Sequence, residues 1–219
     1  MESTKSRCGR PAGRKKTAKI EIVLEPNIKA EFMELIASEG KTASVEIGAW
    51  IRRYIKDMKK AVSRIRRAVD SFERIAVYGD YDADGVTATA LLYLYLESQG
   101  ADVTYYIPSR MEEGYGLHNE SVDILADRGV KLIITVDNGI NSVEEAAYIK
   151  SKGIDLVITD HHQPGGILPD AVAVVNPHRA DDTSPFKDTA GPSINTQITV
   201  VSLVASLLSA IFVQFNIFG

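Results

Sequence analysis

Cysteine is nearly missing from this chain: Cys8 is the only one in 219 residues. That excludes an internal disulfide framework and fits a reducing compartment, so a cytoplasmic protein is expected. No secretory signal peptide opens the chain. Charge is missing altogether after Asp188, and residues 198–218 are almost wholly apolar. Hydropathy alone would let that stretch span a bilayer. The reading adopted is a buried packing helix or the altered end of a truncated reading frame, with no membrane partner expected. What is present is ordinary for a globular protein, with 45% hydrophobic residues and length for one or two domains. The net charge of −4 hides an asymmetry. Residues 1–67 carry 17 Lys and Arg against 8 Asp and Glu, whereas residues 68–219 carry 8 against 21. A basic front suits a polyanionic partner, and an acidic rear suits a carboxylate metal site.

The acidic part is organised around Val77-Tyr78-Gly79-Asp80-Tyr81-Asp82-Ala83-Asp84-Gly85. An apolar run stops at a glycine, three aspartates follow at every second position, and a helical pattern begins with Val86, Ala90, Leu91 and Leu94 as one stripe. This predicts strand, tight turn and helix, with the carboxylates on the turn. Carboxylates so close repel one another unless a cation sits among them, and oxygen ligands suit hard divalent ions. An EF-hand loop also opens Asp-x-Asp-x-Asp-Gly, but it needs a glutamate at its twelfth position, where this chain has Leu91.

Residues 1–16, with Arg10, Arg14, Lys15 and Lys16, hold nothing that can form a core and are expected to be a disordered arm. Such arms lie in the DNA minor groove or simply solubilise. Residues 19–24 alternate, which predicts a strand with Ile20, Ile22 and Leu24 on one face. A helix from Pro26 to about Gly40 and a second one capped by Thr42 or Ser44, with Ile47, Ile51, Tyr54 and Ile55 inward, complete a small module. Strand, helix, turn and helix in about forty residues resemble the ribbon-helix-helix DNA-binding fold. The resemblance implies a homodimer through residues 17–60 and duplex DNA read by Lys19, Glu21 and Val23; a dimerisation module without DNA binding is the other reading. Residues 57–74 continue as a basic amphipathic helix, taken as a linker over 61–74.

From Ile75 onward strands and helices alternate. Strands are expected over 75–78, 103–107, 132–136, 156–159 and 173–175, and helices over 86–98, 121–127 and 143–152. This pattern predicts an α/β domain, a parallel sheet with helices on both faces, whose ligand site lies beyond the carboxyl ends of the strands. There the first strand delivers Asp80, Asp82 and Asp84. The second delivers Pro108-Ser109-Arg110 through Gly114-Tyr115-Gly116, the third Asp137-Asn138-Gly139, and the fourth Asp160-His161-His162. Helix capping does not account for three acidic strand ends and a histidine pair together, which points to a divalent metal site.

These motifs, with Asn176-Pro177 after the fifth strand, resemble the DHH phosphoesterase superfamily, in particular RecJ-type single-strand-specific exonucleases, over residues 74–191. The resemblance implies two Mn²⁺ or Mg²⁺ ions held by Asp80, Asp82, Asp84, Asp137 and His161, with Asp137 as the bridge. It implies that Asp160 orients the histidine pair and that His162 stands near the scissile phosphate of single-stranded DNA. Two ions about 3.5–4 Å apart serve an in-line displacement without a covalent nucleophile. Arg110 is either a phosphate clamp or the partner of Glu112 or Glu113 in a surface ion pair.

The chain thus divides into a basic arm (1–16), a ribbon-helix-helix-like module (17–60), a linker helix (61–74), a phosphoesterase domain (75–188) and an apolar tail (189–219). Family members carry a further acidic motif and a second domain after this point, so the expectation is impaired hydrolysis. Two alternatives stay open: a small-nucleotide or cyclic-dinucleotide phosphodiesterase of the same superfamily, and a non-catalytic DNA-binding regulator.

Overall fold

The structure, a computed structural model, describes residues 23, 25–109, 114–176, 178 and 204. Arg10, Arg14, Lys15, Lys16, Lys19 and Glu21, the strand expected over 19–24, and Arg110 lie outside the described residues.

Five strands form one sheet: β1 (Arg74–Tyr78), β2 (Val103–Tyr106), β3 (Val130–Val136), β4 (Asp155–Thr159) and β5 (Ala173–Val175). Their order across the sheet is β2-β1-β3-β4-β5, and every neighbouring pair is parallel. Beyond the charged residues near their starts (Arg74, Lys131 and Asp155), β1, β3 and β4 are almost wholly apolar because both of their faces are covered. Alternate residues serve opposite cores. Ile75, Val77, Leu132, Ile134 and Val136 pack on one side, while Ala76, Tyr78, Ile133, Leu156 and Ile158 pack on the other. Helices α2 (Ala43–Asp70) and α3 (Ala83–Ser98) supply the first core, and α4 (Asn119–Asp127) and α5 (Val143–Ser151) the second. Val204, from the apolar tail, is fully buried in the first core.

The strands and helices expected from Ile75 onward are all found, with ends moved by a few residues. Two features differ from expectation. The boundary drawn at residue 60/61 falls inside α2, which runs unbroken for 28 residues. No glycine or proline interrupts residues 49–70, and Met58, Ala61, Val62, Ile65, Ala68 and Val69 recur at helical spacing, all buried against the sheet. The second half of α2 is therefore part of the sheet's core. The buried Arg64 side chain fastens it there by ion pairs with Glu73 (2.6 Å) and Asp155.

The second difference is the side of α3 that faces inward. Gly85, Ala88, Thr89, Leu92 and Leu96 are buried, whereas Val86, Ala90, Leu91 and Leu94 face solvent. The helix is apolar almost all round, so its periodicity does not say which stripe the sheet takes.

Ahead of α2, helix α1 (Pro26–Ser38) starts with proline in its first turn and buries Phe32 and Ile36. Gly40, at φ +66°, reverses the chain. Thr42 occupies the N-cap of α2 without making a side-chain cap bond. Ile55, expected inward, is exposed, and the side chain of Tyr54 lies outside those described.

The topology fixes where a ligand goes. The connection through α3 carries the chain from β1 to one side, and β3 lies on the other, so the order reverses at the β1/β3 boundary. A crevice opens there beyond the carboxyl ends of the two strands.

A candidate metal centre at the β1/β3 switch point

The turn after β1 is built to bring Asp80 back against α3. Gly79 and Gly85 permit this closeness. A Cβ at Gly79 would stand 2.0 Å from Thr89 Oγ1, and one at Gly85 would stand 2.7 Å from the Asp80 carbonyl oxygen. Asp82 caps α3, its Oδ1 accepting from the Gly85 N–H at 2.8 Å, and Asp80 Oδ1 accepts from the Tyr81 N–H at 2.8 Å. Each of these carboxylates keeps a second oxygen for a cation.

Next to it, β3 ends in a locked turn. Asp137 has φ +66°, a left-handed conformation that non-glycine residues seldom adopt. Its neighbours hold it there. Asn138 Nδ2 donates to the Val136 carbonyl at 3.1 Å and to the Tyr78 carbonyl at 3.4 Å, which ties the ends of β1 and β3 together. Thr135 Oγ1 donates to the Asn138 carbonyl at 2.9 Å. Gly139 follows at φ +99°, where a Cβ would meet Thr135 Oγ1 at 2.9 Å.

After β4 comes the histidine pair. The fully buried Asp160 accepts from the Ile140 N–H through Oδ2 (2.9 Å) and from the His162 N–H through Oδ1 (3.0 Å). His162 Nδ1 lies 2.7 Å from the same Oδ1. The His162 backbone is held from β5 by Asn176, whose Nδ2 donates to its carbonyl at 2.9 Å. Asp160 thus contacts both the backbone and the ring of His162.

Two sets of ligand atoms result. Asp80, Asp82 and Asp137 form one, Asp137, His161 and His162 the other, each with its ligand atoms within 4.8 Å of one another. Asp137 belongs to both. Its Oδ1 is buried and accepts no hydrogen bond, although His161 Nε2 stands 3.1 Å away. A buried carboxylate oxygen that accepts no hydrogen bond and is ringed by carboxylates and imidazoles fits a hard divalent cation. The electrostatics agree. Burial, then the Asp82 charge, push the Asp137 carboxyl up to about 7. Asp80 is likewise raised, mainly by burial, and the hydrogen bond with Asp160 raises His162. A cation would relieve the crowding of negative charge.

Of the residues expected as ligands, Asp80, Asp82, Asp137 and His161 come together, and His162 joins them. Asp84 falls in the first turn of α3 and in neither set. Sequence reasoning missed Tyr115. Its hydroxyl lies 3.1 Å from the Asp137 carbonyl and 3.0 Å from His162 Nδ1. Burial and the surrounding carboxylates raise its pKa, so the phenol stays protonated. The available signal was its place between two glycines.

The chain is similar to the single-stranded-DNA-specific exonuclease RecJ of Bacillus subtilis (strain 168), with 47% identity over 140 residues, 64% of this chain and 18% of that protein. It is 39% identical to RecJ of Escherichia coli (strain K12) over 184 residues, 81% of this chain and 31% of that one. The chain thus spans less than a third of the length of these two relatives. Among solved structures it is similar to exonuclease RecJ bound to manganese, with a TM-score of 0.61, 33% identity, and coverage of 73% of this chain and 38% of that one. RecJ from Thermus thermophilus in complex with Mn²⁺ gives a TM-score of 0.57 at 30% identity, covering 74% and 21%. The resemblance seen in the sequence is drawn to residue 191, but the match of the family model reaches further, into the apolar tail. That model describes the DHH family, N-terminal domain, and it takes in residues 74–213, so the chain belongs to the DHH family.

Proposed function

We propose that the sheet domain is a metal-dependent phosphodiesterase that hydrolyses single-stranded DNA, with two Mn²⁺ or Mg²⁺ ions as cofactors, in the cytoplasm. The observation that carries this reading is that Asp137 belongs to two ligand sets at once. A single shared carboxylate between two sets is the arrangement a two-metal site needs. The relatives named single-stranded-DNA-specific exonuclease supply the substrate, and the solved relatives with manganese supply the ion.

Asp80 and Asp82 would hold one ion, His161 the other, and Asp137 both. Bound ions supply Lewis-acid activation of water and neutralise charge in an in-line displacement at phosphorus. The chain's own groups prepare that step. Asp160 and Tyr115 occupy the Nδ1 side of His162, so the imidazole presents its Nε2 edge outward. The His162 side chain is 42% exposed, which leaves that edge able to donate a proton to a phosphate oxygen. The locked turn at Asp137 and the cap at Asp82 hold the carboxylates without further reorganisation. Arg110 is proposed as a phosphate clamp from the segment that carries Tyr115. A nuclease assay on 5′-tailed single strands with Mn²⁺ tests the reading. Turnover that falls at least a hundredfold in Asp137→Ala supports it, and turnover kept in that variant contradicts it.

Residues 17–60 are proposed to pair with a second copy of the chain, with duplex DNA as the partner of the basic arm and ribbon. Apolar side chains left open on this module support the pairing: Met33, Val45 and Ile55 are all exposed. Light scattering on the whole chain should give twice the monomer mass, and a monomer at micromolar concentration would contradict the pairing.

A further inference from the structure

Tyr115 is held over the metal centre by a device that has no other evident use. Gly114 and Gly116, at φ +80° and +96°, bracket it, and both conformations are strained for any residue with a Cβ. The second glycine is anchored from the sheet, because Tyr78 Oη of β1 donates to the Gly116 carbonyl at 3.1 Å. The segment therefore swings the phenol back over the end of β3 and fixes it there. Its ring meets the His162 ring edge-on, with centroids 5.6 Å apart at 72°. The Tyr115 ring is half open to solvent, but its hydroxyl turns inward, to the Asp137 carbonyl and to His162 Nδ1.

Only one arrangement of protons serves all these contacts. His162 Nδ1 carries a proton and donates to Asp160 Oδ1 at 2.7 Å, with Tyr115 Oη as a second acceptor at 3.0 Å. The single proton of the Tyr115 hydroxyl then goes to the Asp137 carbonyl at 3.1 Å. The chain of bonds runs from His162 through Tyr115 to the backbone of the shared carboxylate residue. It couples the strained Asp137 turn to the tilt of the His162 ring.

We infer that Tyr115 is a positioning residue: through its hydroxyl it sets the His162 imidazole, and the backbone of Asp137, in the geometry required for phosphodiester hydrolysis. This rests on the phosphodiesterase reading. Tyr115 does not itself ligate an ion, and its contribution passes through His162. Hydrogen-bonding groups that orient metal-site histidines typically cost about 10–100-fold in activity when removed.

The test uses the whole chain and the variants Tyr115→Phe, His162→Ala and the double variant. Manganese affinity is read by calorimetry, and kcat and KM on 5′-tailed single strands and on bis(p-nitrophenyl) phosphate. Tyr115→Phe keeps the ring, and so the fold and the Mn²⁺ affinity. It should lower kcat about tenfold with little change in KM, on both substrates. In the His162→Ala background the same change should have no further effect on kcat. Full activity in Tyr115→Phe, or an equal loss in both backgrounds, overturns the inference. If the wild-type chain turns over neither substrate, the phosphodiesterase reading fails. The positioning claim is then decided by the ring resonances of His162 in the metal-free protein: they should shift in Tyr115→Phe, and unchanged resonances would overturn it.

Discussion

At the scale of single residues, Asp137 concentrates the physics of the site. It is buried, left-handed in backbone and common to both ligand sets. Its carboxyl is pushed up to about 7 by burial and by Asp82. A raised carboxyl pKa means that the metal-free fold prefers the protonated form. The stability it favours is present below the unfolded value of about 4 and is lost as pH rises through about 7. Asp137→Asn removes that penalty. In chelator, the variant's thermal midpoint should exceed the wild type's at pH 8 by several degrees, the effect of roughly 1–3 kcal/mol in a chain this size. At pH 5 the gap should be well under half of that, and it should close only below about pH 4. Calorimetric scans at both pH values check this, and a variant less stable than wild type at pH 8 would count against it. The sequence showed Asp137, the first carboxylates and the histidine pair, because ligand chemistry needs those residue types at strand ends. It did not show Tyr115, whose role comes from two positive-φ glycines and a contact with a histidine 47 positions away.

Among the elements, strands were more legible than the inward faces of helices. A buried parallel strand is a short apolar run, and β1, β3 and β4 are that and little else. Helix α3 is apolar almost all round, so the stripe of Val86, Ala90, Leu91 and Leu94 showed the helix but not its inward side, and it is the outer one. The consequence is a contrast between neighbours. Leu92→Ala should cost about 2–5 kcal/mol, because its side chain is fully buried in the core. Leu94→Ala should change stability by about 0.5 kcal/mol or less, since Leu94 is 59% exposed. Urea titration of the two variants separates these values, and equal losses would contradict the packing. Helix α2 misled in another way. The extent of a ribbon-helix-helix-like module set a boundary at residue 60, but the helix that continues past it has no glycine or proline between residues 49 and 70 to end it, and its second half packs into the sheet's core.

For the molecule as a whole, one open parallel sheet with helices on both faces was legible from the alternation of apolar runs and amphipathic stretches, together with the right-handedness of parallel connections. The strand order was not, because either neighbour of β1 satisfies the same hydrophobic pattern. That order decides the site: it sets β1 beside β3, and so the Asp80–Asp82 turn beside Asp137. The claim that everything else depends on is that Asp137 joins two cation sites at this boundary. The most direct test is Mn²⁺ titration calorimetry of the whole chain and of Asp137→Ala, each shown to be folded by circular dichroism. The account predicts two ions per wild-type chain and the loss of both in the variant. A variant that still binds one ion with wild-type affinity would show that Asp137 serves a single site, and would contradict the account.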